Sequence, residues 1–150
     1  MTLDGTYTFA APRDRVWQLL MDPAAIASCV PGCEAFEPLG DDKYRVRLTA
    51  GVAAITGTFE GTVTLADQVA PSSYRLQMEG SGGPGFVNGD AVMTLRDDGG
   101  GTAVDVKAEV EVGGTIARVG QRLLGSVSKM MLDRFFACMA GKVGSDNAPR

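Results

Sequence analysis

The sequence predicts an α+β fold in which a curved antiparallel sheet of about seven strands wraps around a long C-terminal helix, with two short helices after the first strand. Two observations carry this prediction. Apolar and polar residues alternate through much of residues 44–112, and the spacing changes to three and four residues after Thr115. Alternation with one polar face indicates antiparallel strands. Successive strands closed by a helix are typical of an α+β domain.

The strands follow from stretches in which one side is apolar and the other is polar. The first strand is predicted from TLDGTYTFA, near the N-terminus, and glycine-rich linkers such as Asp97–Gly101 fit hairpin turns. Five later stretches alternate in the same way: residues 44–50, 55–65, 74–79, 87–95 and 102–112.

The helices are predicted from proline positions and from apolar periodicity. Pro12 and Pro23 each stand where a short helix can begin, because proline is favoured in a first helical turn. Apolar residues at helical spacing predict a long amphipathic helix from Thr115 to about Lys142. We therefore expect a single domain over residues 1–142 and a loose tail over residues 143–150.

Composition and charge restrict the classes of function. The chain has 150 residues, 45% hydrophobic content and a net charge of −4 with a pI near 4.8. This acidic balance disfavours nucleic acid as a partner, since phosphate contacts need clustered Lys and Arg. No apolar run is long enough to span a membrane, and the N-terminus does not resemble a signal peptide. We expect a cytoplasmic protein, with at most peripheral contact at the inner face of the membrane.

The chain contains no histidine. Histidine is the usual general base near neutral pH and the commonest metal ligand. Its absence removes Ser-His-Asp and Cys-His arrangements and most catalytic zinc sites. We therefore expect no enzyme activity, no catalytic residues and no metal site, although Asp, Glu, Lys or Tyr side chains remain available for chemistry.

The stretch CVPGCEAF holds Cys29 and Cys33 around a Pro31-Gly32 turn signal. Thioredoxin-like redox sites have two residues between the cysteines, whereas three lie between these. A structural zinc site requires about four ligands, and Cys138 is the only further thiol in the sequence. We interpret the pair as small, partly buried residues beside a turn, with a facultative disulfide as the alternative.

The motif GSGGPG, at Gly80–Gly85, matches the glycine spacing of a dinucleotide-binding loop. The residues after it predict another strand, but the fingerprint needs a helix N-terminus there to hold the pyrophosphate. We interpret the motif as a flexible loop between strands at a pocket mouth, where glycine permits positive φ.

Small residues on the apolar sides of the strands and helix favour a cavity between them. Gly57, Gly61, Gly80 and Gly89 fall on the predicted concave face, although close helix–sheet packing would also explain any single glycine. Apolar side chains around such a space are typical of small-molecule sites. The residues predicted to contact a ligand are Phe59, Met78, Phe86, Met93, Val110, Ile116, Gly120, Leu123, Val127 and Met131.

Three motifs resemble the G-subunit family of carbon monoxide dehydrogenase, within the START-like (SRPBCC, polyketide cyclase and lipid-transport) superfamily. They are VPGCE, GTFEG and GGTIARVGQRLL, and the resemblance runs from about Gly5 to Phe136. It implies a helix-grip fold with a hydrophobic pocket between the sheet and the long helix. It also implies an accessory protein of molybdenum-containing carbon monoxide dehydrogenases and related hydroxylases, with roles in membrane recruitment or in handling a quinone.

The resemblance supplies no established catalytic set. It implies a role in shaping the fold for one proline and six glycines: Pro31, Gly32, Gly57, Gly61, Gly85, Gly113 and Gly120. Longer members carry a C-terminal extension linked to membrane attachment, whereas the segment GKVGSDNAPR is neither amphipathic nor strongly basic. This departure is the reason for expecting peripheral membrane contact at most.

Three hypotheses about function remain. The first is a non-enzymatic binding protein for an apolar small molecule, a quinone or lipid bound without a covalent link, that serves a molybdenum hydroxylase-type partner. The second is a superfamily enzyme of the cyclase or hydrolase type, for which Tyr7, Tyr74 and Arg75 are the few polar candidates. The third is an assembly or membrane-recruitment factor with a filled core.

Overall fold

The computed structural model describes residues 1–52 and 55–146, which form one antiparallel seven-stranded sheet, three α-helices and a 3₁₀ segment. In chain order the elements are β1 (Thr2–Phe9), α1 (Arg13–Leu20), α2 (Pro23–Cys29), β2 (Cys33–Gly40), β3 (Lys43–Val52), β4 (Ile55–Val69), β5 (Ser73–Gly82), β6 (Gly85–Asp98), β7 (Gly101–Gly113), the 3₁₀ segment (Thr115–Val119) and α3 (Gln121–Asp146). The strands lie in the order β1-β7-β6-β5-β4-β3-β2. The predicted α+β class and its element order are confirmed.

At the start of each short helix, a residue just before the helix accepts hydrogen bonds from the first backbone N–H groups. The carbonyl of Pro12 accepts hydrogen bonds from the N–H groups of Arg15 and Val16, both at 3.1 Å. The side chain of Asp22 accepts from the N–H of Ala24 at 3.0 Å, and Pro23 follows as a first-turn proline, which has no N–H to satisfy.

The strand register places the apolar side chains in rows across one face of the sheet. One row runs from Tyr44 through Val63, Met78 and Gly89 to Val110, crossing β3, β4, β5, β6 and β7. Alternate residues of each strand face the other side. We call the face of this row, which packs against the helices, the concave face, and the opposite face the convex face.

The densest part of the core lies under the second half of α3. Phe136, Met139 and Val143 are buried there, as are Val16 and Leu20 of α1. Tyr7 of β1 stacks on Phe136 with ring centroids 4.3 Å apart. Side chains of β1, α1 and α3 thus close this end of the molecule with a continuous apolar layer.

The predicted long helix begins later and ends later than expected. Residues 115–119 form the separate 3₁₀ segment, because Gly114 and Gly120 on either side of it have φ of +83° and +95°. The backbone of Gly120 (ψ 152°) lies in a region that only glycine adopts readily, so the α-helix cannot pass through it. At the other end, Val143 is buried and α3 continues to Asp146, so residues 143–146 belong to the helix; residues 147–150 lie outside the described residues.

The expected role of the cysteines requires a correction. Cys29 forms a disulfide with Cys138, which lies 109 residues later, with a Cα–Cα distance of 5.4 Å. The bond joins α2 to α3. Cys33 is the free cysteine, half-buried, and burial raises the pKa of its thiol. The alternative that paired Cys29 with Cys33 is therefore wrong, because Cys138 comes closer to Cys29 in the fold.

Candidate functional site

The candidate site lies under the first half of α3, from Gln121 to Met131. In this half the buried residue is Leu124, whereas side chains such as Leu123 and Val127 are half-buried. A Cβ added to Gly125 would meet a single atom, the sulfur of Met1 at 3.9 Å. Helix and sheet are therefore more loosely packed here than around Phe136.

One depression has a volume of about 840 Å³ and is lined by two groups of residues. The first group lies on the concave face and on the adjoining helical segments: Met1, Met78, Gly89, Val110, Val112, Ala117, Gln121 and Leu124. The second group comes from alternate strand positions and is polar: Lys43, Thr62, Thr64, Gln77, Glu79, Asn88, Asp90, Glu109 and Glu111. Because successive residues of a strand face opposite sides, the volume includes space on both faces, and only the concave part is apolar.

Two local contacts shape the floor of the concave part. The side chain of Met78 lies over Gly89, where an added Cβ would be 2.9 Å from the Met78 Cγ. The amino group of Met1 donates to the carbonyl of Val110 at 2.8 Å, and the Val110 N–H donates to the Met1 carbonyl at 2.8 Å. The flexible side chain of Met78 thus covers the position where Gly89 has no side chain of its own. Met1 forms part of the wall.

A smaller depression of about 340 Å³ lies on the other side of the 3₁₀ segment. Its walls are the start of β4, the β5–β6 turn and the segment itself: Thr56, Gly57, Thr58, Gly83, Pro84, Thr115, Ile116 and Val119. Ile116 is buried, and its N–H donates to the carbonyl of Pro84 at 2.7 Å. The GSGGPG motif was predicted to be a flexible loop, but Gly80–Gly82 end β5 and Gly85 begins β6, so only Gly83 and Pro84 form a tight turn beside this depression.

The predicted ligand contacts divide between wall, core and helix. Met78 and Val110 line the larger depression, and Ile116 lines the smaller one. Met93 is buried in the packed core, opposite Tyr74 in the register. Four others have half-buried side chains on the concave face or on α3, and their role in binding stays a prediction: Phe59, Leu123, Val127 and Met131.

Two predicted contacts are not part of the concave wall. Phe86 pairs with Ser81 and Gly113, so it lies on the convex face, where its ring covers Gly113. Gly120 forms the turn between the 3₁₀ segment and α3, and a Cβ added there would meet no atom within 4 Å. The alternation over residues 87–95 places Val87 on the apolar side of the strand. It therefore requires its neighbour Phe86 to point to the opposite side.

Sequence reasoning missed several residues of the wall. Val112 continues the alternation of Val110 and could have been found from it. Leu124 replaces Leu123 as the buried position, a difference that follows from the break at Gly120 and cannot be read from apolar spacing alone. Nothing in the sequence indicates that Met1 packs beside Gly125.

The polar candidates for catalysis form contacts with other side chains at separate places in the fold. Tyr7 donates to Asp133 Oδ1 at 2.6 Å and accepts from Lys129 Nζ at 3.1 Å. Burial and the hydrogen bond to Asp133 raise the pKa of Tyr7. Arg75 pairs with Asp90 at 2.7 Å, Nε to Oδ1, and this hydrogen bond lowers the pKa of Asp90.

Tyr74, the third candidate, packs its ring edge-on against Trp17 with centroids 5.6 Å apart. Burial raises the pKa of its phenol far above the ordinary value, so the hydroxyl stays protonated at any physiological pH. The three candidates thus make contacts in three different places: Tyr7 between β1 and α3, Tyr74 beside α1, and Arg75 beside Asp90.

Within residues 1–52 and 55–146, no group of three or more His, Cys, Asp or Glu side chains is placed to hold a metal ion. Among the helices of these residues, none combines the length and the apolar character needed to cross a membrane.

A curved antiparallel sheet that grips a long C-terminal helix defines the START-like class of proteins. A START superfamily protein from Mycobacterium smegmatis is similar at 13% identity and a TM-score of 0.75, over 96% of this chain and 97% of that one. TTHA0849 from Thermus thermophilus is similar at 14% identity and a TM-score of 0.73, over 99% and 100%.

The chain belongs to the carbon monoxide dehydrogenase G-subunit (CoxG) family, whose model matches residues 5–144. A conserved protein from Geobacillus kaustophilus is 34% identical, with a TM-score of 0.94 over 97% of this chain and 96% of that one. Among curated proteins, none matches this chain significantly. The predicted family is confirmed, and so is the START-like fold.

Proposed function

We propose that this chain is a non-enzymatic accessory protein that holds an apolar small molecule of the quinone or lipid type under the first half of α3. Its partner is a molybdenum-containing carbon monoxide dehydrogenase or a related hydroxylase. Family membership supports the partner class, since the family is described as a subunit of carbon monoxide dehydrogenase.

One observation carries the binding proposal. The concave part of the larger depression is walled by apolar side chains under a helix that is loosely packed there, while the second half of the same helix is tightly packed. Met78, Val110, Val112 and Leu124 supply its apolar surface. Apolar walls with few polar groups are typical of sites for small apolar ligands.

The contacts of the polar candidates favour binding over catalysis. Tyr7 and Arg75 have their hydrogen-bonding groups engaged by Asp133, Lys129 and Asp90. An acid–base catalyst must reach the proton that it transfers, and none of these contacts lies among the residues that wall the concave part. The experiments that follow also distinguish binding from the enzyme and assembly-factor hypotheses.

The first test identifies what the protein carries. Protein purified without detergent is extracted with organic solvent, and the extract is analysed by mass spectrometry against protein denatured and refolded in lipid-free buffer. We expect a quinone or lipid in stoichiometric amount from the first sample. An empty extract, together with no uptake of added ubiquinone or menaquinone by the refolded protein, would leave the assembly-factor hypothesis standing instead.

The second test uses two glycines that face each other across β4 and β5. Gly61 and Gly80 are direct partners in the register. A Cβ on Gly80 would meet a single atom within 4 Å, the Glu60 carbonyl oxygen at 3.7 Å, whereas a Cβ on Gly61 would overlap the Glu79 carbonyl oxygen. Gly80→Leu therefore places a side chain in the concave space, and Gly61→Leu forces two strands apart.

We expect Gly80→Leu to keep the wild-type melting temperature and to lose at least about tenfold in affinity for an added quinone, since its side chain fills space that the ligand would occupy. Gly61→Leu is the contrasting variant, and it should lower the free energy of unfolding by about 1–3 kcal/mol or more, as overpacking does. Equal quinone affinity in Gly80→Leu and wild type would show that the concave space is not the site. Turnover of the bound molecule by the isolated protein would support the enzyme hypothesis.

A further inference from the structure

The convex face of the sheet carries its charges in an ordered pattern. Two neighbouring rows of side chains cross this face from β3 to β7 in the strand register. The first row is Arg45, Thr62, Glu79, Asn88 and Glu111, and the second is Lys43, Thr64, Gln77, Asp90 and Glu109. Both rows are therefore basic on β3, uncharged on β4 and acidic on β7.

The charges at the ends of these rows have no partner of opposite sign within residues 1–52 and 55–146. Four exposed residues form no ion pair there: Lys43, Arg45, Glu109 and Glu111. Other charges of the same face are paired within the chain, as Arg47 is with Glu60 at 3.1 Å. The face thus combines internally paired charges with a second set that is left without partners.

The unpaired charges of one chain are too far apart to neutralise each other. From β3 to β7 there are four steps between neighbouring strands, and each step is about 4.8 Å, so about 19 Å separates the two ends of a row. Single unpaired charges are ordinary on a protein surface. The informative feature is that opposite signs lie at opposite ends of the same two rows.

A second copy of the chain supplies the missing partners. A two-fold axis along β5 lies midway between β3 and β7. Rotation about it turns two convex faces toward each other, exchanges β3 with β7, and leaves each row opposite itself. Lys43 then faces Glu109 of the second copy and Arg45 faces its Glu111, and the symmetry repeats both pairs.

We propose that two copies of this chain associate through their convex faces about the β5 axis, held by these four charge pairs. The side chains suit the shape of the face. Because the sheet curves away from the axis on both sides, contacts at β3 and β7 need long side chains, as Lys, Arg and Glu are. Thr62 and Thr64, beside the axis on β4, are short.

An apolar contact adds to the charge pairs. Val92 on β6 is an apolar side chain that is 48% exposed on this face. The register runs from Val92 through Arg75 to Ala66 on β4, so the two-fold axis places Val92 against Ala66 of the second copy. The concave face, with the proposed binding space, stays outside this interface. The dimer is therefore independent of the proposed function.

The experiment is sedimentation velocity of the full chain over a range of protein concentrations. We expect a dimer whose fraction rises with concentration and falls with added salt, since the charge pairs are screened. A monomer at every concentration would overturn the proposal. Quinone uptake by the variants below should equal that of wild type, so a failure of either proposal is recognised separately.

Reversing the charges at either end should break the dimer, and mixing the two reversed proteins should restore it. The β3 variant is Lys43→Glu with Arg45→Glu, and the β7 variant is Glu109→Lys with Glu111→Lys. Each variant turns all four attractions into repulsions, so its dimer dissociation constant should rise at least about tenfold. In an equimolar mixture the heterodimer regains all four attractions. A mixture that dimerises no better than its components would overturn the proposal.

Net charge alone gives the opposite result for the β7 variant. That variant brings the net charge from −4 to about zero, so general repulsion between copies falls and association should rise if only net charge matters. The control for the β3 variant is Arg118→Glu with Arg122→Glu, which changes the net charge equally at two exposed residues off the convex face. It should dimerise much as wild type; a loss equal to that of the β3 variant would contradict the proposed interface.

A single substitution tests the position of the axis. Glu79 lies on β5, so it faces Glu79 of the second copy, and these like charges oppose association. Glu79→Gln should therefore tighten the dimer about two- to fivefold. Glu37→Gln removes an exposed acidic residue from β2, away from the axis, and should leave the dimer unchanged. Equal effects of the two substitutions would overturn the assignment of the axis to β5.

Discussion

The two halves of helix α3 form one continuous helix but have opposite kinds of packing. In the second half, the exposed fractions of Phe136, Met139 and Val143 are 1%, 0% and 0%. Cys138 in this half forms the disulfide with α2. In the first half, Leu124 is buried to 8%, and the space beside Gly125 is open. One helix therefore anchors the fold at one end and covers a depression at the other.

This difference shows how a small domain can keep an apolar space without losing its fold. Burial of a large apolar side chain contributes about 1.5–3 kcal/mol. The aromatic cluster of Tyr7, Phe9, Phe135 and Phe136, with its stacked and edge-on rings, concentrates that contribution at the closed end. The first half of the helix can then remain loosely packed, because it is held through the second half.

The largest expected effect comes from the anchored half. Phe136→Ala removes the side chain that contacts three other rings and should lower the free energy of unfolding by about 3–5 kcal/mol. Leu123→Ala, in the loosely packed half, should cost about 1 kcal/mol because that side chain is only half-buried. Urea denaturation measures both, and similar costs would contradict the contrast between the halves.

The disulfide should give the next largest effect. It closes a long loop between Cys29 and Cys138, so the double variant to Ser should lower the free energy of unfolding by about 2–4 kcal/mol. Cys33→Ser is the control and should change little, since Cys33 is free. Titration of thiols in the denatured, unreduced protein should find one; three would mean that α2 and α3 are not joined.

Gly120 tests the junction at which the loosely packed half begins. Gly120→Ala should destabilise the fold by about 1–3 kcal/mol although nothing lies within 4 Å of the added Cβ, because its backbone conformation suits only glycine. Gly125→Ala, within α3, should be neutral or slightly stabilising. If Gly120→Ala were equally harmless, the 3₁₀ segment and α3 would not be separated by this turn.

The smallest effect concerns the contact between Tyr7, Lys129 and Asp133, where the anchored half begins. Hydrogen bonds from Tyr7 and Lys129 lower the pKa of Asp133 in the folded protein. The contribution to stability is therefore present above the ordinary carboxyl pKa of about 3.9 and is lost as pH falls through the lowered folded value. The melting temperatures of wild type and Asp133→Asn should differ at neutral pH and converge in acid; a constant difference would rule out the charge as its source.

Local patterns predicted much of the fold. The alternation in residues 55–65 and 102–112 predicted strands with the observed inward faces, and Pro12 and Pro23 marked the starts of both short helices. The candidate site was predicted less completely. Met78 and Val110 follow from alternation, whereas the prediction for Phe86 went against that same alternation, and Gly120 lies in a turn outside α3.

Neighbouring residues are enough to indicate the strands, the helices and the family that the chain resembles, since side-chain period and short motifs are local properties. Features that need distant residues to meet are visible only in the folded chain. Cys29 reaches Cys138, Tyr7 reaches Asp133, and Met1 reaches Val110 across separations of 109, 126 and 109 residues. No local pattern encodes such pairings, because each depends on the packing of the whole chain.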